Sequence, residues 1–143
     1  MANGSCLCGE VKYSFTGTPV MQALCHCLPC RKVSGSAYTT NLLVPSTLFT
    51  FLSGSSKLKS FSTLHPSGMT LTIHFCEKCG TKIYKEGSAD DFKGLFIVQA
   101  GTLDGGEGRM GLGDVEVGAE LWVKDRVAWV PARGGPAQMQ EFS

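Results

Sequence analysis

Apolar and polar residues alternate along much of this chain with a period of two. Met69, Leu71, Ile73 and Phe75 alternate with Thr70, Thr72 and His74, which predicts a half-buried strand running straight into Cys76. Val11, Tyr13 and Phe15 repeat the pattern after Gly9. Runs rich in β-branched and aromatic residues at 37–44, 48–51 and 95–100, bounded by Gly, Pro or Ser, predict further strands. Residues 120–123 and 127–130 add two brief ones around a turn at Lys124 and Asp125. A helical pattern extends over no more than about one turn, near Leu28 to Ser34. Gly105, Gly106, Gly108, Gly111 and Gly113 crowd into a loop, and no repeat is visible. The expected fold is one mainly β domain with long glycine-rich connections. From Pro131 the sequence Pro-Ala-Arg-Gly-Gly-Pro predicts a flexible tail.

Composition narrows the function classes. The 143 residues carry 13 Lys and Arg against 12 Asp and Glu, a net charge of +1, with 17% of residues charged. That balance offers no electrostatic footprint for nucleic acid or an anionic membrane, so neither is an expected partner. A hydrophobic fraction of 43% excludes a largely disordered chain, and no apolar run approaches the ~18–20 residues of a membrane-spanning helix. The opening Met-Ala-Asn-Gly-Ser-Cys has neither a basic nor an apolar stretch, so no export signal and a cytoplasmic, reducing setting are expected. There, clustered cysteines bind metal more often than each other.

All seven cysteines fall in three clusters: Cys6 and Cys8; Cys25, Cys27 and Cys30; Cys76 and Cys79. In extended backbone a Cys-x-Cys pair presents both sulfurs on one side, with Leu7 or His26 pointing away. A Cys-x-x-Cys-Gly turn converges two thiolates as well. The count divides into four plus three. Cys6, Cys8, Cys76 and Cys79 would close a tetrahedral structural site, while Cys25, Cys27 and Cys30 would leave a fourth position open, as catalytic zinc requires. A division joining Cys76 and Cys79 to two cysteines of the 25–30 cluster also satisfies the spacing. Zinc is the expected metal, with iron–sulfur chemistry the thiolate alternative.

Other residues carry two readings each. His26 is either a donor or proton shuttle behind the metal, or a packed or solvent-facing histidine; alternatively His26 or another ligand would complete the 25–30 cluster as a second structural site. His65 and His74 have no ligand spacing and are expected at the surface or on a strand. Arg31 and Lys32, directly after Cys30, would bind a carboxylate near the metal or form a solvated charge pair. Lys57 and Lys59 read as an exposed strand face.

The three clusters, in this order, resemble the family of glutathione-dependent formaldehyde-activating enzymes, which includes centromere protein V-like members. The matching residues are Gly4-Ser-Cys-Leu-Cys-Gly9, Cys25-His-Cys-Leu-Pro-Cys-Arg-Lys-Val-Ser-Gly-Ser-Ala37, Phe75-Cys-Glu-Lys-Cys-Gly-Thr81, Gly101-Thr-Leu-Asp104, Glu120-Leu-Trp-Val123 and Trp129. The resemblance covers about residues 4–130. It implies a zinc-binding domain over 4–130 with a β-tent-like fold and two zinc ions, structural at Cys6, Cys8, Cys76 and Cys79 and catalytic at Cys25, Cys27 and Cys30. It also implies a reversible carbon–sulfur lyase reaction, joining formaldehyde to the thiol of glutathione. Ser34, Gly35, Ser36 and Thr102 would line the pocket on the same grounds.

A zinc held by three thiolates is electron-rich and a weaker Lewis acid than one held by three neutral histidines. It suits a thiol bound as thiolate, or a polarised carbonyl, and either supports thiol addition to an aldehyde. A zinc enzyme performing elimination, hydrolysis or isomerisation on another small molecule, or a non-enzymatic zinc module, fits the same pattern. The chain has no basic extension to favour a chromatin role.

Overall fold

A computed structural model describes residues 1–143. The alternating segments form the strands they predict: β2 (Lys12–Phe15), β4 (Thr39–Pro45), β5 (Phe49–Ser53), β7 (Thr70–Cys76) and β9 (Leu95–Gln99). Residues 120–123 contribute β10 (Ala119–Leu121), and Leu28–Ser34 is the single α-helix, α1. Four more strands complete the set: β1 (Ala2–Ser5), β3 (Met21–Cys25), β6 (Leu58–Leu64) and β8 (Lys82–Gly87). Residues 127–130 form a turn and no strand.

Two sheets result. The small one has the antiparallel order β1-β2-β5. The large one runs β10-β3-β4-β9-β8-β7-β6, extended beyond β10 by a short strand, β11 (Ala137–Gln138). Its pairs are antiparallel except β10 on β3 and β11 on β10, which are parallel.

The pleat of the large sheet sorts two cores. Leu42, Val44, Tyr84 and Val98 face the small sheet, where Val11, Tyr13, Phe15 and Phe49 meet them. Tyr13 stacks on Phe49 at 4.8 Å, and its hydroxyl reaches Thr102 Oγ1 at 2.7 Å. That ring passes over Gly4, where an added Cβ would sit 2.2 Å from it, so β1 can carry only glycine there. On the opposite face lie Cys25, Leu43, Ile73, Leu71 and Ile97, covered by α1, Phe92 and Phe142.

Residues 131–143, expected to be a flexible tail, are held against the sheet. Ala137 N–H donates to Gly118 O at 3.0 Å and Met139 N–H to Glu120 O at 2.9 Å, while Trp122 N–H donates to Glu141 O at 2.9 Å. The physical reason lies past the Gly-Gly-Pro turn: Met139 and Phe142 have apolar surface to bury, and they pack on the cluster around the 25–30 cysteines. No helix is long and apolar enough to cross a membrane.

Candidate metal centres

The first centre lies where the two sheets meet. Cys6 and Cys8 occupy the turn between β1 and β2, Cys76 ends β7, and Cys79 lies in the turn between β7 and β8. All four sulfurs lie within 4.8 Å of one another, with Cys6 to Cys8 at 3.5 Å and Cys8 to Cys76 at 3.7 Å. Zn–S bonds of ~2.3 Å in a tetrahedron place sulfurs about 3.8 Å apart, so the donor set fits zinc and the separations exclude disulfides. Val11 N–H donates to Cys6 Sγ at 3.3 Å. The Thr81 hydroxyl beside Cys79, 3.2 Å away, heads the contacts that hold that thiol down to about 5, in the range where it is a ready ligand.

The second centre gathers Cys25 at the end of β3, Cys27 just before α1, and Cys30 within α1. The helix is built around these sulfurs. Cys27 is its N-cap, with the sulfur accepting from Cys30 N–H at 3.4 Å, and Pro29 fits the first turn. Gly35, at φ 67°, closes the helix by donating its N–H to Arg31 O at 2.9 Å. All three cysteines are buried and mutually within 4.8 Å. Hydrogen bonding and charge from Cys27 and Cys30 push the Cys25 thiol up. Cys30 is held well down by Cys25 and Cys27, with the Lys85 ammonium contributing. Sulfurs this close cannot all ionise without a cation among them. The two clusters can therefore each hold a zinc ion, in the four-plus-three division; Cys76 and Cys79 do not join the 25–30 cysteines.

A cavity of about 30 Å³ adjoins the three-cysteine centre, room for one or two water-sized groups. Leu43, Met69, Leu71, Phe92, Ile97, Leu121 and Phe142 supply its apolar wall, and Asn41, His65 and Lys85 its polar side chains. Lys85 reaches this place because β8 pairs Lys85 with Ile73 on one side and Ile97 on the other, both facing the same core. Only 3% exposed, it donates from Nζ to Cys30 Sγ at 3.4 Å.

His65, expected at the surface or on a strand, is neither. It is 2% exposed, in the turn between β6 and β7, because that hairpin folds over the cysteines and brings the ring against Trp122 and Phe142. Ser67 N–H donates to His65 Nδ1 at 3.0 Å, so the proton of the neutral ring sits on Nε2, which faces Cys27 Sγ at 3.4 Å. Burial lowers the pKa of this ring, favouring that neutral form. Nothing in the spacing of His65 or Lys85 marks either residue; a strand register and a hairpin turn bring them in.

The remaining candidates are placed as follows. His26 points away from the sulfurs between Cys25 and Cys27 and is fully buried, its Nε2 2.8 Å from Glu120 Oε1. Glu120 Oε2 also accepts from Arg133 N–H and Gln138 Nε2. Burial alone would raise this carboxyl, yet these donors with His26 and Arg126 hold it down to about 2. Arg31, Lys32, Gly35 and Ser36 lie outside the cavity: α1 turns Cys30 inward, and its period carries the next two residues outward. Ser34 donates from Oγ to Cys30 O at 2.8 Å. With Thr102, Tyr38, Thr39 and Gln99 it lines a separate, more polar groove of about 430 Å³ that also reaches Cys79. His74 stays on β7, stacked on Tyr84 at 4.3 Å and 2.7 Å from Glu86 Oε2.

Comparison with known proteins agrees with this picture. No curated protein sequence matches the chain. The crystal structure of a Rhodobacter sphaeroides protein superposes with a TM-score of 0.56 at 17% identity, over 74% of this chain and 91% of that one, a likeness of fold. A family model described as glutathione-dependent formaldehyde-activating enzyme matches residues 1–125, which hold both cysteine clusters. The chain belongs to the glutathione-dependent formaldehyde-activating enzyme family.

Proposed function

We infer that the protein is a zinc enzyme of carbon–sulfur lyase type, which reversibly adds a thiol, glutathione or a related one, to a small aldehyde such as formaldehyde. One observation carries the reading. Three buried cysteine sulfurs, enough to hold a metal and leave it one position for a reactant, border a cavity that also receives an amine and an imidazole. Cys6, Cys8, Cys76 and Cys79 are assigned a structural zinc, and Cys25, Cys27 and Cys30 a catalytic one. Zinc at the second centre supplies a place where a thiol is held as thiolate or a carbonyl oxygen is polarised.

The chain's own residues do the rest. The carbon–sulfur bond forms as the carbonyl π bond opens, and the thiol proton ends on the former carbonyl oxygen, with no change of oxidation state. Lys85 Nζ lines the cavity and can donate to that oxygen as negative charge develops on it. His65 Nε2–H and Lys85 each donate to a cysteine sulfur, drawing charge from the electron-rich three-thiolate set. The apolar wall keeps water from competing with the thiol. The polar groove at Ser34 and Thr102 adjoins the cavity: Gln99, which lines the groove, donates from Nε2 to Asn41 Oδ1 at 3.0 Å, and Asn41 lines the cavity. The polar body of a thiol such as glutathione is assigned to that groove, with the Gln99–Asn41 contact lying between it and the cavity.

A second reading is favoured by the small, apolar cavity wall: the same centre acting on an apolar small molecule by elimination, hydrolysis or isomerisation. One experiment separates the two. Protein with two zinc ions per chain is mixed with glutathione and carbon-13 formaldehyde, and exchange into S-hydroxymethylglutathione is followed by NMR. Acceleration over the uncatalysed exchange supports thiol addition, and its absence with every thiol tried overturns it in favour of the second reading.

A further inference from the structure

The family-model match ends at residue 125, yet a residue beyond it completes the wall of the three-cysteine cavity. Phe142 is in contact range of three of that wall's neighbours: its ring centroid lies 5.1 Å from Phe92, 5.3 Å from His65 and 5.5 Å from Trp122. Two of these contacts are edge-on, at 73° and 78°, and the ring against His65 is tilted at 30°. An aromatic ring packed this way has few other rotamers open to it.

The backbone that carries Phe142 is fixed as firmly. Val123 N–H donates to Met139 O at 3.0 Å and Trp122 N–H to Glu141 O at 2.9 Å. Trp122 adopts φ 57°, a left-handed conformation that a bulky residue holds only where its surroundings compensate. Here the compensation includes those two bonds and burial of the indole to 2% exposure. Arg126 bonds Gln138, and Lys124 pairs with Glu141 and lies 4.8 Å over the Trp122 ring.

We propose that Phe142 is a specificity-determining residue, the wall that restricts what can sit at the three-cysteine centre to a group of very few heavy atoms. This rests on the reading that the cavity beside Cys25, Cys27 and Cys30 holds a reactant. The segment 137–142 sets the limit through its docking on β10 and through the Phe142 ring. The substrate class that follows is one whose reacting part is small, with any larger polar body kept outside the cavity.

The test uses the full chain with cobalt(II) in place of zinc, titrated with ethanethiol and with phenylmethanethiol and read by the sulfur-to-cobalt and d–d absorption bands. Pocket size differences of this order discriminate by about tenfold or more. The parent should bind ethanethiol at least about tenfold more tightly than phenylmethanethiol, and in Phe142→Ala the two should come within about threefold. Phe142→Leu should fall between. Met139→Ala, whose side chain packs on the same cluster without lining the cavity, should keep the parent's preference. An unchanged preference in Phe142→Ala overturns the proposal.

If neither thiol perturbs the spectrum of any variant, the thiol reading of the site falls, and the wall is judged on the zinc protein by metal release to a chromophoric chelator. Release of one zinc equivalent at least about fivefold faster in Phe142→Ala, with the other equivalent unchanged, supports the wall. Equal release rates overturn it. The equivalent at the four-cysteine centre, identified as the one that Cys27→Ser retains, reports in the same experiment that the variant is folded.

Discussion

Lys85 is the residue whose position departs furthest from its chemistry. A lysine 3% exposed among isoleucines is costly unless its charge is met, and here it is met by Cys30 Sγ at 3.4 Å. Three thiolates and a divalent zinc carry a net charge of −1, and one ammonium brings the centre to neutrality, ready for a further anionic ligand. Replacing Lys85 by Met keeps the length of the side chain and removes the charge. Charge-assisted hydrogen bonds are worth about 1.5–3 kcal/mol, so Lys85→Met should bind a thiolate at the cobalt-substituted centre roughly 10–100-fold more weakly. The metal-loaded variant should also lose about 3–5 kcal/mol of stability, because the net −1 centre is left buried without its counter-charge. The same loss of stability with thiol binding unchanged would mean the lysine is structural only. Lys85→Arg, too large for this place, should not restore binding. Nothing in Ile83-Tyr84-Lys85-Glu86 signals any of this. Two of these four neighbours, Ile83 and Tyr84, face the same core as the small sheet, because the β7–β8 register shifts between His74 and Phe75. Alternation read along the sequence misses such a shift. The cysteines were legible for the opposite reason. Ligands that come in pairs two or three residues apart are set by local backbone geometry, which a sequence displays directly.

The elements that hold the second centre are β3, α1 and β10, joined by a parallel pairing that no local pattern announces. Antiparallel neighbours such as β6 and β7 follow from a hairpin, whereas β10 reaches β3 across 94 residues between Glu120 and His26. That joint is secured by charge. Glu120, with no exposed surface, is engaged by His26, Arg133 N–H, Gln138 and Arg126, so β3, β10 and β11 share one carboxylate. These donors lower its pKa from an ordinary 4.5 to about 2. The folded pKa lies below the unfolded one, so the stabilisation is present above about pH 4.5 and is lost as pH falls towards 2. Glu120→Gln should therefore cost about 2–3 kcal/mol at pH 7, since a buried hydrogen-bonded charge is removed from its donors. The gap between variant and parent should begin to narrow as pH is lowered through 4.5, in urea unfolding over the pH range in which both proteins keep two zinc equivalents. A gap that did not vary with pH would show that shape, and not charge, holds the joint. The same pairing is why residues 131–143 are ordered. Their composition reads as a tail, but Gln138 contributes a donor that Glu120 needs.

At the scale of the molecule the proposed function gives the two centres different parts, and the span each one closes supports that division. Cys25, Cys27 and Cys30 lie within six residues, so a metal there ties a strand end to the helix that follows it and adds little constraint on the unfolded chain. Cys6 and Cys8 are separated from Cys76 and Cys79 by about seventy residues, and that centre clamps the small sheet to the large one. Structural zinc contributes an apparent ~10–16 kcal/mol to folding in zinc-finger peptides, and a domain's whole stability is about 5–15 kcal/mol. Loss of the clamp is therefore enough to unfold the chain. Cys79→Ser should fail to fold, or fold with a melting temperature lowered by more than about 20 °C, losing both zinc equivalents as the sheets separate. Cys27→Ser should behave otherwise. Serine is a preferred N-cap, so the Oγ can take over the contact from Cys30 N–H, and the helix keeps its start. The variant should hold one zinc equivalent, keep its far-ultraviolet circular dichroism, and lose thiol binding at the cobalt-substituted second centre. Metal analysis, circular dichroism and thermal melts on the two variants decide the matter. Equal loss of fold in both would mean that the three-cysteine centre is structural too, and the division into one clamping and one reacting metal would have to be abandoned.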